Sequence, residues 1–140
     1  LDGAAMAPCT SPASYSGLAN GSHTFRVQAI DTFGSVDSVG ASYPWTVDTV
    51  APTIVSITPA TTSTSITISW VTSEPTSSKV QWGVGVDTSH TVPEDSNFVT
   101  SHSVKLTGLS PNTLYSFIVS GHDRAGNAYT STRQQIRTNN

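Results

Sequence analysis

Apolar and polar residues alternate with period two along this chain, in short runs separated by clusters of Gly, Pro, Asn and Asp. No run carries the longer period of an amphipathic helix. The pattern predicts an all-β protein. Thr53 to Thr58 reads as an edge strand, and Ile66, Ile68 and Trp70 alternate with Thr67 and Ser69 so that one face is core. Val80 and Trp82 share a side of Ser78 to Gly83, Val104 and Leu106 do likewise, and Tyr115, Phe117 and Val119 carry a central strand. Nearer the start, His23 to Asp31 is expected as a strand with Phe25, Val27 and Ala29 inward. Tyr43, Trp45 and Val47 form its closing strand, which Pro44, lacking an N–H, places at an edge or on a bulge.

The alternation is written twice. Gly17-Leu18, His23, Phe25, Val27, Ala29, Asp31 and Gly34 recur as Gly108-Leu109, Tyr115, Phe117, Val119, Gly121, Asp123 and Gly126. From the His/Tyr position onward the offset is constant, since 115 − 23 and 126 − 34 both give 92. A period near one hundred residues is that of stacked antiparallel β-sandwiches, not of short solenoid repeats. Two modules are expected, 1–50 and 51–140. The second has about fifty residues of strand-like sequence ahead of Gly108, whereas the first copy begins close to its repeated phrase, so upstream strands of the first module are expected to be missing. The Pro-stiffened segment Asp48 to Thr53 joins the modules and is expected to favour a rod over a tether.

Composition narrows the functional classes. A net charge of −3 with 11% charged residues offers no basic stripe for a phosphate backbone. No run approaches the length of a membrane helix, so neither nucleic acid nor membrane insertion is expected. Cys9 is the single cysteine and decides neither compartment nor chemistry.

Ile66 to Trp70, Ser78-Lys79-Val80-Gln81-Trp82-Gly83 and Leu109-Ser110-Pro111-Asn112-Thr113-Leu114-Tyr115-Ser116-Phe117 together resemble a fibronectin type III domain of the bacterial secreted kind. That resemblance implies a corner in which the Tyr115 hydroxyl bonds back to the backbone, and makes Trp70 the core tryptophan of the second strand. With Glu74-Pro75 ahead of Val80 to Gly83, the segment is also similar to the sandwich domain preceding the catalytic domain of purple acid phosphatases, although no phosphatase ligand set is present. Leu1 to Ala5, Ala7 to Pro12, Tyr15 to Leu18, Gly21 to Val27 and Trp45 to Asp48 resemble the C-terminal half of bacterial immunoglobulin-like repeats. That second resemblance implies that Cys9 is half of a disulfide whose partner lies outside this chain.

Candidate chemistry is sparse. Asp123, Gly126 and Asn127 at a strand end are candidate Ca²⁺ ligands together with Asp48 or Asp31, but Ca²⁺ takes about six to eight oxygens and no dense acidic cluster exists, so a self-bonded turn is the expectation. His23, His90, His102 and His122 lack the spacing of a metal pair. Ser22-His23, Ser89-His90 and Ser101-His102 lack a nucleophile elbow, and His23, standing at the position of Tyr115, is expected as a corner residue bonded to backbone. Asn20-Gly21-Ser22 reads as a tight turn. Trp45, Trp70 and Trp82 face the core, leaving Phe98 and Tyr129 as aromatics for a sugar. The turn carrying His122, Asp123, Arg124 and Asn127 is the candidate protein-contact loop.

The sequence therefore reads as a non-enzymatic, cofactor-free, extracellular or cell-surface spacer or adhesive module whose partners are neighbouring modules of the same protein. Two alternatives involve further partners. One is an accessory domain of a secreted hydrolase binding a polysaccharide or other cell-surface glycan; the other is a filament subunit that self-associates by strand complementation.

Overall fold

The computed structural model describes all 140 residues, Leu1–Asn140. The chain divides into two compact units, Leu1–Thr49 and Val50–Asn140. All regular structure is strand: β1 Gly21–Val27 and β2 Ala41–Val47 in the first unit, then β3 Ile54–Thr61, β4 Ser65–Val84, β5 His90–Thr107, β6 Leu114–His122, β7 Ala128–Thr130 and β8 Gln134–Arg137 in the second.

The second unit is a two-layered antiparallel sandwich in which two long strands serve both layers. The first half of β4 pairs with β3 and with Ser101–Thr107 of β5; its second half pairs with β6 and with the first residues of β5. Sequence reading gave Ile66 to Trp70 and Ser78 to Gly83 as separate runs. The backbone instead turns between them without ending the strand, and its register against β5 shifts three times between Val71 and Val80. Such bulges bend a strand sharply enough to carry it from one sheet to the next. The alternating faces then meet. Ile66, Ile68 and Trp70 from one layer pack with Val80, Tyr115, Phe117, Val119 and Tyr129 from the other, closed by Leu106 and Leu109. Trp82, expected in that core, is only half-buried and stacks on His90 with ring centroids 4.7 Å apart.

The first unit is a single hairpin without a second layer. β1 pairs with β2 in the register His23↔Trp45 and Phe25↔Tyr43, which puts His23, Phe25, Val27, Tyr43, Trp45 and Val47 on one face. That face is only partly covered: Tyr15 lies against Phe25 with ring centroids 6.0 Å apart, and Phe25, Trp45 and Val47 are half-buried. His23 is the only buried residue between Leu1 and Thr49, and Tyr43 is 69% exposed. A cavity of about 570 Å³ at the end of β1 is lined by Met6, Cys9, Arg26, Val27, Ile30 and Val36. Pro44 sits opposite Thr24, whose N–H and C=O turn away from β2 to Asp2, so the missing proline donor costs the ladder nothing. The strand expected to reach Asp31 stops at Val27, followed by an isolated bridge between Ile30 and Val36. In the segment between β1 and β2 the backbone pairs only within this short loop.

Candidate functional site

The most elaborate polar grouping lies at the corner of β4. Its backbone is pinned from the core side: Trp70 Nε1–H donates to the Tyr129 hydroxyl at 3.1 Å, which donates to the Ser77 carbonyl at 3.0 Å. Gly121 makes the approach possible, because a Cβ there would drive into the same Ser77 carbonyl. Tyr129, expected as an exposed aromatic, is therefore buried as a cross-brace.

On one flank of this corner, His102 lies beneath Thr72 and Thr76, with Nε2 3.1 Å from Thr76 Oγ1, and stacks on Trp70 at 4.9 Å. Burial pushes its imidazole below the ordinary histidine range, against weaker opposing pulls from Asp95 and the Val99 backbone. On the other flank, Ser77, Glu94 and His122 converge. The Ser77 hydroxyl accepts the His122 backbone N–H at 3.0 Å and donates to Glu94 Oε1 at 2.5 Å. His122 Nδ1 reaches the same carboxylate oxygen at 2.9 Å and lies 3.0 Å from Ser77 Oγ. Phe98 meets the His122 ring edge-on at 5.7 Å and carries the Arg124 guanidinium 4.7 Å from its centroid.

A serine, a histidine and an acid in contact invite comparison with a catalytic triad, but the wiring differs. A triad places serine and acid on opposite ring nitrogens, whereas here both touch Nδ1. Ser77 is also fully buried and its hydroxyl is occupied on both sides. The arrangement braces the corner. Sequence reading missed Ser77 and Glu94, which are 17 residues apart, because only the fold of the β4–β5 hairpin brings them together.

The predicted contact loop follows β6. Asp123 is buried, and its two carboxylate oxygens accept the Asn127 N–H at 2.9 Å and the Asn127 side-chain amide at 2.8 Å. Burial alone would raise its pKa, but these bonds, with those of Ala125 and Gly126, hold it below the ordinary carboxylate range. The loop is thus a self-bonded turn. In the same unit Glu74 comes within 4.8 Å of Asp123, a neighbour that sequence reading did not single out. Asp48, the other calcium candidate, follows β2 in the first unit, and Cys9 is exposed. The three Ser-His pairs are put to separate uses: Ser89 bonds Asp87, His90 stacks on Trp82, and His102 is buried.

Both repeated corners form. The Tyr115 hydroxyl accepts the Ser110 N–H at 3.0 Å, and His23 Nε2 lies 2.7 Å from the Ala19 carbonyl. Asn20, read as part of a tight turn, uses its side-chain oxygen to accept both the N–H and the hydroxyl of Thr49, at 3.1 and 2.8 Å.

The family described as "Purple acid Phosphatase, N-terminal domain" matches residues 52–138. No curated protein matches the chain. Among solved structures, the chicken CNTN1 FN1-FN3 domains are similar at 24% identity and a TM-score of 0.50, over 89% of this chain and 45% of that one. This chain thus spans less than half of that structure, and the likeness is one of fold. The sensor domain of the anti-sigma factor RsgI4 in Pseudobacteroides cellulosolvens is similar at 19% identity and a TM-score of 0.45, over 63% of this chain and 92% of that one. With two-layered packing, a tyrosine corner and a family match over more than half its length, the chain belongs, through residues 52–138, to the family of the purple acid phosphatase N-terminal domain, a fibronectin type III-like β-sandwich.

Proposed function

We propose that this chain is a non-catalytic structural module of an extracellular or cell-surface protein, spacing or displaying the domains that adjoin it. The observation that carries this reading is how the polar side chains of the second unit are used. His102, Ser77, Glu94, His122, Asp123 and Asn127 are each engaged within the sandwich, and no buried side-chain polar atom lacks a partner. Groups committed to the fold are poorly placed to do chemistry on a substrate. Phe98, the candidate sugar platform, is half-buried beside Arg124 and His122.

The test combines assay and localisation. Chromogenic phosphate monoesters, esters and glycosides are expected to show no turnover above buffer, and antibody detection to place the parent protein in secreted or surface fractions. Turnover that His122→Ala abolishes would overturn the non-catalytic reading. Retardation in polysaccharide affinity gels that Phe98→Ala removes would replace the spacer with a glycan-binding accessory domain.

A second reading rests on the incompletely covered face of β1 and β2: strands from outside residues 1–49 complete the first sandwich, in the manner of strand complementation. Light scattering under oxidising and reducing conditions tests it. A dimer that reductant dissolves reports only an intermolecular Cys9 disulfide, a reductant-resistant assembly supports completion between chains, and a monomer in both conditions overturns a filament role.

A further inference from the structure

The first unit carries its polar organisation at one residue. His23 presents Nε2 to the Ala19 carbonyl and Nδ1 to Asp2 Oδ2, both at 2.7 Å. A carbonyl oxygen can only accept, so Nε2 bears a hydrogen. An ionised carboxylate can only accept as well, so Nδ1 bears one too. Asp2 is ionised at neutral pH, its carboxyl held below the ordinary carboxylate range by the bond to His23 and by the Thr24 N–H, which its other oxygen accepts at 2.7 Å. The ring, 10% exposed in its side chain, lies against the uncharged Trp45 of β2 at 5.7 Å.

We infer that His23 is held as an imidazolium between these two acceptors and acts as a proton-operated clasp, fastening the segment at Leu1–Ala4 to the edge of β1. When His23 loses a proton, one ring N–H is left for two acceptors: Nδ1 either turns a lone pair toward the Asp2 carboxylate or keeps an N–H on a ring that no longer carries charge, and in both cases the contact to Asp2 at 2.7 Å weakens. Two further bonds hold the segment: the Asp2 N–H to the Thr24 carbonyl at 2.9 Å, and the exposed bond from Thr24 N–H to Asp2. Release leaves the N–H and C=O of Thr24 as an unpaired strand edge.

The other charged groups near the clasp do not replace Asp2. Arg26, on β1, points its guanidinium at the Ser38 and Val39 carbonyls. Asp48 follows Val47, which pairs with Gly21 two register positions from His23. The Ala19 carbonyl and then Asp2 raise the His23 pKa above its ordinary range, and His23 and Thr24 together lower that of Asp2. The sign follows by linkage. Stability from the clasp is fully present below the unfolded value of about 6.5 and is lost as pH rises through the raised value in the fold. The repeat supplies an internal contrast: Tyr115 makes the matching corner bond with a hydroxyl and has no second ring nitrogen to engage an acid.

The test is nitrogen NMR on the full chain, with amide hydrogen exchange corrected for intrinsic pH dependence. The clasp predicts that both His23 ring nitrogens are protonated at neutral pH, and that exchange at Asp2 and Thr24 rises through the His23 midpoint. Asp2→Asn keeps the shape, since its amide can donate to a neutral Nδ1 and its oxygen can accept from Thr24. In that variant the His23 midpoint is expected to fall and Thr24 protection to lose its pH dependence. A single neutral tautomer in the parent chain at neutral pH, protection that ignores the His23 midpoint, or an unmoved midpoint in Asp2→Asn would overturn the inference.

Discussion

The two copies of the repeat hold the same local devices in opposite tertiary circumstances. In each, a side chain reaches back to a backbone group four or five residues earlier, His23 to Ala19 and Tyr115 to Ser110. In each, an aspartate caps the following loop through N–H groups two to four residues on: Asp31 accepts from Phe33 and Ser35, Asp123 from Asn127. Even the short bridge after the strand recurs, Ile30↔Val36 in the first copy and His122↔Ala128 in the second. The cores do not recur. Val119 is fully buried, whereas its counterpart Val27 is 42% exposed. Corners and loops need only residues near one another in sequence, whereas a core needs a second layer, which the first unit lacks. A two-stranded sheet alone is at best marginally stable in water, so the second unit carries the cooperative stability of this chain.

Matched substitutions offer the hardest test of that contrast. Phe117, 1% exposed, and Phe25, half-buried, occupy the same repeat position. Phe117→Ala should cost roughly 3–5 kcal/mol in urea unfolding, and Phe25→Ala no more than about 1.5 kcal/mol. Equal losses would mean that the first unit has a core after all. Next in size is the pair Gly121 and Ala29. Gly121→Ala forces a methyl into the Ser77 carbonyl and should destabilise by about 1–3 kcal/mol, while Ala29→Gly should cost only about 0.5–1 kcal/mol through backbone entropy. A tolerated Gly121→Ala would show that the β4 corner can move away from β6.

The tyrosine corner is a smaller effect. Tyr115→Phe removes one acceptor from the Ser110 N–H and should cost about 1 kcal/mol, read as a lower denaturation midpoint at unchanged slope. The finest comparison is pH. His102 is pushed down by burial while His23 is pulled up by its acceptors. The His102 contribution is whole above about pH 6.5 and is lost as pH falls through its lowered value in the fold, whereas the His23 contribution is lost as pH rises. Unfolding of the second unit followed against pH should therefore soften on the acid side, and His102→Gln should flatten that limb. A limb unchanged by His102→Gln would assign the acid response elsewhere, with Asp123 and its lowered pKa the next group to examine.

Much of this was legible before any coordinates. The alternation at Ile66, Ile68 and Trp70 and at Tyr115, Phe117 and Val119 named six of the ten core residues because a strand's faces follow from a period of two. The misreadings share a cause. Tyr129 looked like a spare aromatic until Ser77 and Trp70 came to meet its hydroxyl, whereas Trp82 does pack against the core but only from its half-buried rim, with His90 stacked on it. Ile66 to Trp70 and Ser78 to Gly83 read as separate runs, but bulges between Val71 and Val80 let β4 turn the corner without ending.

What the sequence by itself determined is therefore local: strands with an apolar face, the back-bonded corners at His23 and Tyr115, and the loops capped by Asp31 and Asp123. Each rests on side-chain type and spacing within a few residues. Only the tertiary structure decided which apolar faces are covered, that Ser77, Glu94 and His122 share one corner, and that His23 sits between two acceptors with Asp2 on one side. Those outcomes join residues 17 to 59 positions apart, and chain topology, not local pattern, brings such residues together.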